Sequence, residues 1–97
     1  LYILTNNATF SAAEEFAYNM KSLGRATIVG EKTKGGAHPT DRFAVNDYFF
    51  IAVSTQKAIN PITQTNWEGT GITPDIEVSS DKAFDKAVEL AKGQLAI

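Results

Sequence analysis

The chain opens on Leu1-Tyr-Ile-Leu-Thr5, a β-compatible run without polar alternation, the pattern of a strand covered on both faces. Asn6-Asn-Ala-Thr9 supplies turn chemistry, and helical spacing takes over from about Ser11 to Leu23, with Ala12, Phe16, Met20 and Leu23 on one face. Gly24 stands where the C′ residue of that helix belongs. Ala26-Thr-Ile-Val-Gly30 is a second apolar strand, which completes a β-α-β unit, and the right-handed crossover of such units makes the strands parallel. A polar loop from Glu31 to Thr40 contains Gly35-Gly36. Asp41–Val45 and Tyr48–Ser54 read as a hairpin turning at Asn46-Asp47. After an irregular stretch from Asn60 to Thr73, Ile76–Val78 predicts a short strand. Ser80 or Asp81 caps a last helix that presents Phe84, Ala87, Val88 and Ala91 on one face and ends at Gly93. The class is α/β: a β-α-β unit with parallel strands, a hairpin and a C-terminal helix. Tyr2, Phe43, Tyr48, Phe49 and Phe50 fall at strand spacing, which predicts sheet packing instead of an apolar ligand site.

Composition narrows the picture. The 97 residues suffice for one small domain, and 43% hydrophobic with 21% charged residues describes a globular chain. A net charge of −2 without a basic stripe excludes a nucleic-acid surface. Without cysteine there is neither a disulfide framework nor a thiolate zinc site, and no apolar run is long enough to span a bilayer. A core strand at the very start of the chain implies further sequence upstream of Leu1.

The chemistry concentrates at Ser11, where a buried parallel strand gives way to a helix, the edge at which open α/β sheets bind ligands. Two readings stand side by side. Ser11-Ala-Ala-Glu14 has the S-x-x-E form of a capping box, which explains both residues structurally. A hydroxyl at a helix N-terminus also meets free N–H groups able to hold an oxyanion, provided a base removes its proton. Several local motifs fail. Thr9 and Ala13 occupy the glycine positions of G-x-S-x-G, Glu14 stands where S-x-x-K needs lysine, and Gly36-Ala37 ends a P-loop-like start at Gly30. Asn7-Ala-Thr9 matches a glycosylation sequon, a pattern frequent by chance. His38, the only histidine, is of the residue type suited to general-base work near neutral pH but stands in a loop where solvated histidines are common.

Three segments taken together carry a family resemblance: Leu4-Thr-Asn-Asn-Ala-Thr-Phe-Ser-Ala-Ala-Glu-Glu-Phe-Ala17, then Gly24-Arg-Ala-Thr-Ile-Val-Gly-Glu-Lys-Thr33, then Gly69-Thr-Gly-Ile-Thr-Pro-Asp75. The pattern resembles the C-terminal half of the catalytic domain of C-terminal (tail-specific) processing peptidases. It is most similar to the branch with interphotoreceptor retinoid-binding protein and tricorn protease. The resemblance implies a crotonase/Clp-protease-like fold and makes residues 1–97 the C-terminal part of a serine peptidase domain whose upstream part is elsewhere. It puts Ser11 on the nucleophile and the Ala12 N–H on an oxyanion donor. Many members use a Ser–Lys dyad, and the aligned lysine position is Gly36 here. In the tricorn-like branch an upstream histidine is the base, and Glu68 falls on the glutamate that orients the relay; His38 is the in-chain alternative. The implied partner is a peptide or protein substrate, with no cofactor and no metal, in a periplasmic or otherwise exported setting. The retinoid-binding relative keeps open a second function, a non-catalytic ligand-binding module.

Overall fold

The computed structural model describes residues 1–96. Tyr2–Thr5 (β1) and Thr27–Gly30 (β2) pair in parallel, with Tyr2 opposite Thr27 and Thr5 opposite Gly30, and the helix Ala12–Ser22 (α1) joins them. Thr40–Ala44 (β3) and Phe50–Ser54 (β4) form a separate antiparallel hairpin. Ile76–Glu77 (β5) adds to the other edge of β2, giving the order β1-β2-β5, and Ser80–Leu95 (α2) closes the chain. The expected α/β class, parallel unit, hairpin and final helix are all present.

The core is built on β2, the central strand. Successive Cβ atoms of a strand point to opposite faces, so the fully buried neighbours Ile28 and Val29 seed two clusters. Ile28 packs with Ala17 of α1, Ala37, Trp67 and Ile72, whereas Val29 packs with Ala83 and Ala87 of α2. One helix therefore covers each face of the sheet. Asp75 fixes the third strand. Its N–H donates to the Ile28 carbonyl at 2.8 Å and its Oδ2 accepts the Ile28 N–H at 2.8 Å. Lys21, at the end of α1, reaches Asp75 Oδ1 at 3.5 Å, so the Pro74-Asp75 segment ties helix to sheet. Gly30 is required where β1 meets β2: φ is 137°, and a Cβ there would lie 2.0 Å from the Thr5 carbonyl oxygen.

Several expectations are corrected. The predicted inner face of α1 points outward, with Phe16 and Leu23 exposed, and the buried residues are Glu14 and Ala17. The reason is a polar anchor combined with a small contact residue: hydrogen-bond donors draw Glu14 inward, and Ala17 lets the helix approach β2 closely. In α2 the predicted face holds at Ala87, which is buried, and at the half-buried Val88 and Ala91, but Phe84 is exposed and Ala83 is buried in its stead. That helix is capped at Ser79 and runs through Gly93 to Leu95. The hairpin aromatics do not pack in a sheet core, since β3 and β4 are exposed throughout and Tyr48 is 88% exposed. Its turn is wider than Asn46-Asp47. Val45 N–H donates to the Phe49 carbonyl, and Asn46 Oδ1 accepts the N–H groups of Tyr48 and Phe49. β1 lies at the edge of the three strands, and both of its faces are packed in part, Ile3 against the Ile28 cluster and Tyr2 against the Val29 cluster, whereas Leu4 is exposed.

Candidate active site

The site begins where β1 ends. Asn6 Oδ1 accepts the N–H groups of Ala8 and Thr9 at 2.8 and 3.1 Å, turning the chain back toward the sheet edge. Phe10 follows, and Ser11 then adopts φ 57° and ψ −120° as N-cap of α1. A positive φ at a residue with a Cβ costs about 1–3 kcal/mol and persists only where its surroundings enforce it. This sharp strand-to-helix turn lifts the serine side chain onto the surface, the geometry that a nucleophile elbow needs. It is built here without the elbow's glycines, because Thr9 and Ala13 stand in their places. No glycine pattern in the sequence could have signalled it.

Glu14 is bonded to the turn. Its side chain is 0% exposed and carries one donor pair on each oxygen. Oε1 accepts the Thr33 hydroxyl and the Gly35 N–H, both at 2.6 Å, while Oε2 accepts the Ser11 N–H at 2.8 Å and the Gly36 N–H at 2.9 Å. Burial alone would raise its pKa, but the bonds from Thr33, Gly36, Gly35 and Ser11 outweigh that and hold it below the ordinary 4.5. Ser11 and Glu14 thus sit as the predicted capping box. The Glu14 arm is a full hydrogen bond, whereas the Ser11 hydroxyl faces the Glu14 amide without a cap bond of full geometry. The Ala12 N–H, in the first turn of α1, has no acceptor among the described residues.

The loop after β2 forms the opposite wall. Thr33 Oγ1 accepts the Ile72 N–H at 2.7 Å, and the Gly35 carbonyl accepts the Gly69 N–H at 3.0 Å. The segment around Gly69–Ile72 is thereby pressed against residues 33–37. Gly71 is at φ 69°, and a Cβ there would lie 2.2 Å from the Thr33 carbonyl oxygen. Trp67 both seals the core, at 4% exposure, and supports the wall, since its Nε1–H donates to the Gly36 carbonyl at 2.8 Å. Glu68 Oε2 accepts the Ala37 N–H at 2.5 Å and stands 3.9 Å from His38 Nδ1.

Two clefts of about 250 Å³ each meet at Ser11 and Gly36. One runs past Ala12, Ala37, Ala58 and Trp67; the other past His38, Ser54 and Glu68. Ser11 therefore borders both clefts, with Ala12 in the first and His38 and Glu68 in the second. Among the described residues, no hydrogen bond joins the Ser11 hydroxyl to His38 or Glu68. Lys34 is exposed, with Nζ 5.5 Å from the centroid of the Phe10 ring, and lines neither cleft. The residue that sequence reasoning underrated is Glu14, whose capping-box spacing gave no sign of its three further donors.

Comparison with known proteins gives the family of this parallel α/β scaffold. The chain belongs to peptidase family S41, whose model matches residues 1–78. A carboxyl-terminal-processing protease of Synechocystis sp. is 33% identical over 109 aligned residues, covering 100% of this chain and 25% of the relative. Its counterpart from Picosynechococcus sp. is 37% identical over 75 residues, covering 77% of this chain and 18% of the relative. The solved photosystem II D1 C-terminal processing protease superposes with a TM-score of 0.69 at 25% identity, over 82% of this chain and 20% of that one. Mature CPAF shares the fold, with a TM-score of 0.60 at 20% identity, over 91% of this chain and 18% of that one. The chain spans a quarter or less of the length of these relatives. The family expected from the three sequence segments is therefore the family found.

Proposed function

We propose that this chain is the nucleophile-bearing, C-terminal part of a serine-type peptidase domain, with Ser11 forming an acyl-enzyme. The observation that carries the reading is the Ser11 backbone at φ 57° and ψ −120°, which sets an exposed serine where two clefts meet, beside an Ala12 N–H that has no acceptor among the described residues. A peptide carbonyl laid over the start of α1 meets the Ser11 Oγ. As the Oγ–C bond forms, the hydroxyl proton passes to a base and the oxyanion is held by the Ala12 N–H and the helix dipole. The C–N bond then breaks with the base returning its proton to the leaving amine, and water hydrolyses the ester by the reverse route.

The base belongs to a segment outside this chain, and Glu68 orients it. The absence of a hydrogen bond between Ser11 and His38 supports this, as does Gly36 at the position where the resemblance puts the lysine of a Ser–Lys dyad. On the resemblance to the tricorn-like branch, Glu68 in Trp67-Glu-Gly-Thr-Gly71 falls on the glutamate that orients the relay. One observation favours a second source: His38 shares a cleft with Ser11 and has Glu68 Oε2 3.9 Å from its Nδ1. On the first reading residues 1–97 by themselves do not hydrolyse peptides. The test is peptide hydrolysis by the intact protein with intact-mass trapping of the acyl-enzyme. Ser11→Ala abolishes both on this account; an intact protein that binds peptides or apolar ligands and never acylates is a binding module instead.

A further inference from the structure

We infer that Glu14 is a positioning residue for the nucleophile: it holds the Ser11 backbone in its strained conformation and orients the Gly35–Gly36 peptides that wall the clefts. The inference deepens the reading of Ser11 as nucleophile and rests on it.

A fully buried carboxylate loses several kcal/mol of hydration, at roughly the scale known for buried ions, and an apolar side chain of similar volume would stabilise a core as well. Among the described residues no Lys, Arg or His forms an ion pair with Glu14, so backbone and hydroxyl dipoles alone compensate its charge. Three of those donors are backbone amides from two separate segments: Ser11 at the start of α1, and Gly35 and Gly36 in the loop after β2. An apolar residue cannot aim three amides at one point. A carboxylate can, and bonds to a charged acceptor are about twice as strong as neutral ones.

Two geometric consequences follow. The Ser11 N–H is held where a positive φ is needed, which offsets the local strain. Gly36 is held from both sides, its N–H by Glu14 and its carbonyl by Trp67 Nε1, and Gly36 borders both clefts. With the Ser11, Gly35 and Gly36 amides engaged, the Ala12 N–H remains to face a substrate. Glu14 itself is sealed from solvent, so it acts through Ser11 and not on the reacting atoms. Glutamine cannot replace it. Each carboxylate oxygen takes two donors, so either orientation of the amide sets an NH₂ group against two other donors.

The test compares the intact wild type with Glu14→Gln, Thr33→Val and a core control, Ile28→Val, by the rate of phosphonate labelling at Ser11 at equal folded fraction. A crystal structure of the glutamine variant accompanies it. A displaced near-attack geometry predicts labelling slowed by about tenfold or more in Glu14→Gln, with the Ser11 φ moved from its native value and Ile28→Val at the wild-type rate. Folded Glu14→Gln labelled within about twofold of wild type overturns the inference and leaves the nucleophile reading intact. Should Glu14→Gln fail to fold, Thr33→Val decides: slowed labelling supports the inference, and the wild-type rate overturns it. A wild type labelled only away from Ser11 rejects the nucleophile reading itself and this inference with it.

Discussion

Glu68 Oε2 lies 3.9 Å from His38 Nδ1 and is held there by the Ala37 N–H, so an acid and the chain's only histidine share one wall of the serine cleft. The pair separates two sources of the general base. If the base is supplied from outside this chain, His38→Ala in the intact protein keeps most of kcat, whereas Glu68→Gln lowers kcat by about a hundredfold with KM little changed. Steady-state kinetics of the two variants checks this. Loss of kcat in folded His38→Ala assigns the base to His38.

The Glu14 carboxyl makes stability depend on pH in a defined direction. Its folded pKa lies below the ordinary 4.5 that it regains on unfolding, so the unfolded chain binds more protons as the pH drops through that value. The contribution is complete above about pH 4.5 and is lost as the pH falls toward the depressed folded value. Denaturant midpoints of the intact protein measured between neutral pH and about pH 3 should therefore fall more steeply in wild type than in Glu14→Gln. Parallel curves would remove Glu14 as the cause.

Gly36 tests whether a lysine at the aligned position matters. A Cβ at Gly36 would lie 2.0 Å from Phe10 Cε2, so Gly36→Lys must displace the Phe10 ring beside Ser11. The account expects no gain in kcat/KM from Gly36→Lys and a fall of about tenfold from the disturbed wall. A lysine variant that cleaves peptides where the natural protein does not would mark the natural chain as a binding protein.

Gly30→Ala tests the junction of β1 and β2. The added Cβ would meet the Thr5 carbonyl oxygen at 2.0 Å, at a φ of 137° that disfavours any side chain. Backbone strain and overpacking together predict a loss of about 3 kcal/mol, measured by urea unfolding of the intact protein. A variant within about 0.5 kcal/mol of wild type would mean that the junction relaxes freely.

The parts of this fold that could be read from the chain are those in which hydrophobic runs decide the structure. Ile28 and Val29 mark a central strand because only a strand covered on both faces buries both. The helix faces were legible only in part, Ala87 of α2 among them, because periodicity assumes that the largest apolar side chains point inward. In α1 the buried positions are Glu14 and Ala17, and in α2 Ala83 and Ala87, so close approach through small residues decides the orientation. Ser11 could be singled out as a candidate from the S-x-x-E spacing and the strand-helix boundary. Its backbone conformation could not, since it follows from donors at Thr33, Gly35 and Gly36 that converge on Glu14 only in three dimensions. Trp67 similarly turned out to serve core and cleft together, a choice that no local pattern encodes.

The most direct measurement is site mapping of a serine-directed phosphonate on the intact protein, read by peptide mass spectrometry. The account predicts a single adduct on Ser11 that disappears in Ser11→Ala while the fold is retained. An adduct on another residue, with Ser11 unmodified, contradicts it.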